Sequence, residues 1–164
     1  MIRPASLSGR TFIKRWEKFA PNRYRDVAGH WTIGYGHKIK PGETFVQPMT
    51  FARAETLFAK DVTVIAEEPL TKALGHAVVD RLPQPVWDML VSLGYNVGVS
   101  DALTKSTLLD LVRAGDLRAA ADRLPKWNKV RNPQTRELEV CDGLTNRRNA
   151  ERKIWLKGLA NGQT

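Results

Sequence analysis

The sequence predicts a mainly helical α+β fold, with a small N-terminal lobe built around a short antiparallel sheet and a larger helical C-terminal lobe. Three observations carry this. Residues 24–39 mix glycines with aromatic and β-branched residues, the texture of short strands and tight turns. From Thr50 onward, apolar residues recur at helical spacing. The run Val86, Trp87, Met89, Leu90, Val91, Leu93 is apolar all round, as a central buried helix requires.

Taken in order, Phe12, Ile13, Trp16 and Phe19 place a short amphipathic helix between Ser8 and Phe19, stopped by Pro21. Gly29, Gly34 and Gly36 punctuate the sheet-like segment from Tyr24 to Ile39, and Pro41-Gly42 marks a turn. Thr50 is read as the N-cap of a helix with the stripe Phe51, Ala54, Leu57, Phe58, continued by Val62, Ile65 and Ala66 to a break or kink at Pro69, after which a connecting segment follows. Pro83 and Pro85 open the central helix, which should end at Asn96 to Gly98. Ser106 caps a helix closed by Gly115, and Asp116 caps another ended by Pro125. The polar stretch from Asn128 to Asp142, with Pro133, predicts a loop or hairpin, and Thr145 is expected to cap a last helix reaching Leu159.

A chain of 164 residues, 42% of them hydrophobic, can bury roughly 70% of its unfolded surface. One domain over residues 1–164 is therefore expected, without structural metals. Cys141 is the only cysteine, which excludes an intramolecular disulfide and fits synthesis in a reducing compartment. Neither a signal-peptide run nor an apolar stretch of membrane-spanning length is found, so no export or anchoring signal is expected. Lys plus Arg exceeds Asp plus Glu by 26 to 17, a net charge of +9, which draws a protein toward polyanions: nucleic acid, anionic lipid or an acidic cell wall. Charge alone does not choose among these, and a solubilising basic surface has the same composition. With no zinc-ligand cluster, RNA-binding aromatic signature or Gly-rich phosphate loop, nucleic acid is not an expected partner, and no metal or cofactor is implied.

Two acidic residues suggest chemistry. Glu17 lies near the end of the first helix and Asp26 within the sheet-like segment, so a helix-to-strand turn can bring both to the rim of one cleft. Breaking a glycosidic bond needs such a pair, an acid to protonate the leaving oxygen and a base or nucleophile on the other side of the ring. Thr32 offers a hydroxyl to hold water. By itself a Glu followed nine positions later by an Asp is weak evidence, because both residue types ordinarily sit on solvated surfaces.

The wider context adds to it. The stretch Trp16-Glu-Lys-Phe-Ala-Pro-Asn-Arg-Tyr-Arg-Asp-Val-Ala-Gly-His-Trp-Thr-Ile-Gly-Tyr-Gly-His37 resembles the catalytic segment of the phage lysozymes of glycoside hydrolase family 24, with the spacing Glu-x8-Asp-x5-Thr followed by Ile-Gly-Tyr-Gly-His. Ser92-Leu-Gly-Tyr-Asn-Val-Gly98, Ser106-Thr-Leu-Leu109 with Ala114-Gly-Asp116, and Gly143-Leu-Thr-Asn-Arg-Arg148 with Glu151-Arg152 resemble the later motifs in the same order, over nearly the whole chain. The resemblance implies a lysozyme-like fold whose two lobes flank a cleft and are joined by a helix near residues 60–80. It implies hydrolysis of the β-1,4 bond between N-acetylmuramic acid and N-acetylglucosamine in peptidoglycan. Glu17 would be the general acid, Asp26 would direct or deprotonate the attacking water and stabilise positive charge on the sugar, and Thr32 would position that water. It further implies a monomeric endolysin that accumulates in the host cytoplasm and reaches the periplasm and wall with the help of a holin. For the acid role, burial of Glu17 beside Trp16 and Phe19 is expected to raise its pKa, while Asp26 stays ionised in a wetter place.

Of the remaining candidates, Trp31 and Tyr35 could stack on sugar rings or belong to the core. Asn96 could line the cleft or cap the end of the central helix. His37 is read as a structural partner of a carboxylate. Arg147, Arg148, Arg152, Lys153 and Lys157 read as a solvated basic face of the last helix. Two alternatives to a hydrolase remain at this point: a lytic transglycosylase on the same polymer, which needs one carboxylate and the sugar's own 6-hydroxyl, and a basic membrane- or nucleic-acid-binding protein.

Overall fold

A computed structural model describes residues 1–26, 29–132 and 134–161. Val27, Ala28 and Pro133, the last expected in the loop before the final helix, lie outside the described residues, as do residues 162–164. Helix α1 (Leu7–Glu17) is capped by Ser6, whose side chain accepts from the Gly9 amide. It ends two residues before Phe19 because Lys18 adopts φ 59° and turns the chain into β1 (Ala20–Arg25). Strands β2 (Trp31–Gly34) and β3 (His37–Lys38) complete a three-stranded antiparallel sheet in the order β1-β2-β3. The register pairs Tyr24 with Thr32 and Thr32 with Lys38, so these three side chains share one face.

Thr50 caps α2 (Phe51–Val62), its hydroxyl accepting from the Arg53 amide. Of the break or kink expected at Pro69, the break does not occur. A widened π-helical turn (Thr63–Glu67) leads directly into α3 (Glu68–Leu74), which places Pro69 in a first helical turn where its missing N–H costs no hydrogen bond. The segment expected to be a connection is thus largely helical, with the short α4 (His76–Val79) following Gly75. Helix α5 (Gln84–Val97) opens at Pro83 and Pro85 and closes at Gly98, φ 79°. A short α6 (Asp101–Thr104), not expected from the sequence, precedes α7 (Thr107–Ala114), capped by Ser106 and ended by left-handed Gly115. Asp116 caps α8 (Leu117–Ala121), and Pro125, rather than ending this region, sits inside a 3₁₀ turn (Leu124–Trp127).

Strands β4 (Lys129–Arg131) and β5 (Leu138–Val140) form an exposed hairpin, and α9 (Asp142–Asn161) follows. Thr145 does not cap it. Its hydroxyl donates back to the Cys141 carbonyl and accepts from the side-chain Nδ2 of Asn128, which leaves it inside the helix.

The core is organised by α5, in which Val86 through Gly94 are all buried. Helix α1 packs on one side of α5 and α9 on another. The N-terminal segment is laced to the same helices: the Ala5 amide donates to Glu67, and Ser6 donates to Asp88 from both its amide and its hydroxyl. Trp87 and Trp155 are fully buried, each donating its indole N–H to a backbone carbonyl, of Arg3 and Leu117 respectively.

The contact of α5 with α9 is close at Gly158, where a Cβ would lie 2.6 Å from Cβ of Pro85. A proline ring cannot swing away, so any side chain there forces the helices apart. Gly158→Val is therefore expected to cost about 1–3 kcal/mol, lowering the melting temperature by roughly 2–4 °C per kcal/mol for a chain of this size. Thermal and urea denaturation measure this, and an unchanged midpoint would contradict the close packing.

Candidate active site

Glu17 is the last residue of α1, and the left-handed Lys18 beyond it carries the chain away, so the carboxyl is left at the mouth of a cleft. That cleft, about 650 Å³, is lined by Glu17, Tyr24, Asp26 and Thr32, by His37, Glu43 and Asp61, and by Tyr95 to Gly98 at the end of α5. The structure thus brings the three sequence-predicted catalytic candidates to one cavity from different elements. Gly36, φ 85°, is required here: a Cβ at this position would lie 3.2 Å from Glu17 Oε2.

Each of the three has a defined environment. Glu17 Oε1 accepts from Arg147 at 2.7 Å, and among the described residues Oε2 has no hydrogen-bond partner. Its closest charged neighbour is therefore a guanidinium from α9, in place of the expected apolar wall of Trp16 and Phe19; Trp16 packs at a tilt on Phe12, and Phe19 at a tilt on Tyr35 and edge-on to Phe51. Asp26 follows β1; its Oδ1 accepts from the His30 amide at 2.8 Å, and Oδ2 lies 3.3 Å from His30 Nδ1 and 3.9 Å from Lys38 Nζ. Thr32 is buried in the central strand, its hydroxyl 3.2 Å from the His30 carbonyl. Burial raises the pKa of Tyr24, and the carboxylates of Glu17 and Asp26 add to that shift.

The other candidates separate. Asn96 lines the cleft, and its buried Oδ1 has no hydrogen-bond partner among the described residues. Tyr35 does not line it: the ring is 7% exposed, packed against Phe19, Phe51 and Phe58. Trp31 also lies away from the cleft lining, because the strand alternation that turns Thr32 inward turns its neighbour to the other face, where the Arg23 and Arg25 guanidinium groups sit 4.7 and 4.3 Å from the ring centre. His37 sits between two carboxylates, Nδ1 2.8 Å from Asp61 and Nε2 3.0 Å from Glu43. A second cavity of about 570 Å³, bounded by Ser106, Arg123, Lys126, Trp127 and Lys129 among others, shares no residue with the cleft.

The expected solvated basic face of α9 is corrected at two positions. Arg147 and Arg148 are 3% and 0% exposed, held inside by the equally buried Glu151 three and four residues on. Ser92 of α5 donates to Glu151 Oε1 at 2.7 Å. Burial drives the Arg148 guanidinium down to about 10, and it stays charged near neutrality; burial pushes the Glu151 carboxyl up, opposed chiefly by Arg148. The i, i+3 and i, i+4 spacing of Arg147, Arg148 and Glu151 was the one signal that could have paired them, but it reads the same on an exposed helix.

Against this geometry, a model of a known family, phage lysozyme, matches residues 14–151. The chain belongs to the phage lysozyme family. These are glycoside hydrolases. An endolysin of Acyrthosiphon pisum secondary endosymbiont phage 1 is 32% identical over 152 residues, covering 92% of this chain and 96% of that one. An endolysin of Bacillus phage B103 is 35% identical over 158 residues, and the match covers 93% of this chain but 54% of that longer protein. The solved endolysin from Escherichia coli O157:H7 phage FAHEc1 superposes with a TM-score of 0.78 at 32% identity, over 94% of each chain. The α+β architecture expected from the sequence is thus that of the family, and the matched residues include the whole cleft lining.

The His37 cluster makes stability depend on pH in this family member. Hydrogen bonding to Asp61, opposed by burial and aided by Glu43, raises the His37 pKa above its ordinary 6.5. Its contribution is fully present below about pH 6.5, and is lost as pH rises through the elevated folded value. Glu43, held low first by the Lys40 amide and then by His37, loses its own contribution only as pH falls below the ordinary carboxylate range. Wild type should therefore lose stability on passing from pH 6 to 8, and His37→Gln should show a flat profile across that window. Equal slopes in urea melts of the two proteins would rule out His37 as the source.

Proposed function

We propose that the chain is an endolysin muramidase that hydrolyses the β-1,4 bond between N-acetylmuramic acid and N-acetylglucosamine in bacterial peptidoglycan. The observation that supports it most directly is the meeting of Glu17, Asp26 and Thr32 at one cleft, delivered by a helix end, a strand end and a central strand. Glu17 serves as general acid. Arg147 fixes Oε1, which leaves Oε2 as the oxygen that carries the proton to the leaving glycosidic oxygen. Asp26, fixed by the His30 amide, and the Thr32 hydroxyl hold the attacking water on the opposite face of the ring, and the Asp26 carboxylate stabilises the positive charge that develops on the sugar. Asn96, with its unpartnered acceptor in the cleft, binds a sugar hydroxyl or amide.

The protein works as a monomer and as one catalytic unit of two lobes, with the helical run from α2 to α3 passing between them. No helix among the described residues is long and apolar enough to cross a membrane. Passage from the host cytoplasm to the periplasm and wall is assigned to a holin. Peptidoglycan rather than nucleic acid is the polyanion that the basic surface meets.

Glu17→Gln keeps the shape of the side chain and removes the transferable proton. Turnover on sacculi should fall by roughly 10²–10⁴-fold, with wall binding and the melting temperature retained. A variant that kept more than about a hundredth of the wild-type rate would exclude Glu17 as the acid.

Delivery of water should leave a reducing N-acetylmuramic acid end. A transglycosylase would close the same carbon into a 1,6-anhydro ring and release each product lighter by one water. Mass spectrometry of digested sacculi separates the two, and dominant anhydro ends would overturn the hydrolase reading.

A further inference from the structure

The Arg-Arg and Glu-Arg motifs near the C-terminus help gather four charges, those of Arg147, Arg148 and Glu151 in the protein interior and that of Glu17 at the cleft, and among the described residues only Arg147 is ion-paired with the proposed acid. Arg147 reaches Glu17 at 2.7 Å, but its other contacts all lead to two residues: Nε to Glu151 Oε1 at 3.4 Å, and Nη2 to the Ser92 carbonyl and hydroxyl, each at 3.4 Å. Arg148 lies against both oxygens of Glu151, at 2.8 and 2.7 Å, and Ser92 donates to the same carboxylate. We infer that Glu151, supported by Ser92 and Arg148, is a positioning residue for the reaction, holding Arg147 against Glu17 and keeping the cluster balanced at two cations and two anions.

Two guanidinium groups side by side repel one another unless an anion lies between them, and a buried charge left unpaired costs several kcal/mol. Without the Glu151 carboxylate, Arg147 and Arg148 would both turn their charge on Glu17, the one other anion of the cluster. Glu17 is also faced by Tyr24 from the sheet, by Tyr95 from α5, and across the cleft by Asp26, His37 and Lys38. None of these is altered by a change at Glu151. Extra positive charge favours the ionised acid, which then gives up its proton at a lower pH. The inference rests on Glu17 being the general acid.

Glu151→Gln preserves the side-chain shape and removes the charge. The expected result is a folded enzyme whose kcat falls about tenfold at neutral pH with KM little changed, and whose alkaline limb of activity moves about one unit toward acid, one unit being a tenfold change in protonation. Activity is partly recovered at low pH, whereas Glu17→Gln stays inactive throughout. A folded Glu151→Gln with the wild-type pH profile and kcat overturns the inference while leaving the acid assignment intact. An active Glu17→Gln overturns the acid assignment itself. Should Glu151→Gln fail to fold, the double variant Arg148→Met with Glu151→Leu replaces the pair with apolar groups that commonly restore stability. A stable double variant with kcat reduced tenfold or more supports the positioning role, and one with wild-type kcat shows the cluster to be a packing device alone.

Discussion

The ion pair between Glu17 and Arg147 joins residues 130 positions apart, the end of α1 and the second turn of α9. Its cation lies almost entirely out of water, so the pair persists only where the surrounding helices supply the remaining partners of Arg147. This constrains how α9 can sit on α5. Pro85 meets Gly158, and Ser92 meets Glu151. From 85 to 92 is seven residues forward, and from 158 to 151 is seven residues back, so both contacts belong to one antiparallel register two turns long. A slide by one turn would put a side chain against the proline ring and strip Glu151 of its hydroxyl donor. Close packing and buried charge thus select the same alignment.

The other end of the pair is fixed with equal care. Helix α1 is fastened to α5 and the π-helical turn by Ala5, Ser6 and Arg10, which contact Asp88 and Glu67. Its cap and its packing therefore belong to the helical part of the molecule, while the residue after Glu17 leads straight into the sheet. Lys18, φ 59° and ψ 158°, occupies a region that normally needs glycine, at a cost of about 1–3 kcal/mol. The strain persists because both sides are held: α1 on α5, and Phe19 within a ring cluster with Tyr35 and Phe51. Placing a carboxylate where the first helix hands over to the sheet is what lets it share a cavity with Asp26, the residue that follows β1.

How much of this the sequence discloses follows from the range of each interaction. The caps at Thr50, Ser106 and Asp116 are local, formed by a side chain and an amide three residues on, and are legible. So is the apolar run of α5, since a helix that is hydrophobic on every side has to be surrounded by other elements. The meeting of Glu17, Asp26 and Thr32 is legible chiefly through the motif, because a helix-to-strand turn allows two acidic residues to converge but does not require it. Pro69 misleads because a proline breaks a helix only when it falls inside one, and the π-helical turn before it, which resets the helix start, has no sequence signature. Thr145 misleads for a related reason: a threonine can cap a helix or bond back to its fourth-preceding carbonyl, and the choice depends on Asn128, seventeen residues away. Tyr35 and Trp31 show the limit of residue type: within the same motif, one is buried and the other lies under two arginines.

The burial of Arg147 and Arg148 also changes where the net charge resides. Two arginines and two glutamates, Glu17 and Glu151, cancel within this one cluster, so the excess of 26 cations over 17 anions becomes 24 over 15 elsewhere, still +9. Helix α9, which reads as a basic face, presents outward chiefly Lys153 and Lys157, since Arg152 is paired with Asp122. An amphipathic helix that lies on an anionic membrane needs its cations along one solvent face, and here the most closely spaced pair points inward. The exposed positive charge is instead spread over separate places: Arg23 and Arg25 beside Trp31 on the sheet, and Lys126 and Lys129 around the second cavity. A field distributed in this way draws a large polyanion from any approach and is weakened by salt, but it specifies no bond. Selection of the bond to be cut therefore falls to the cleft, where Glu17, Asp26 and His37 are held by Arg147, the His30 amide and Asp61 respectively.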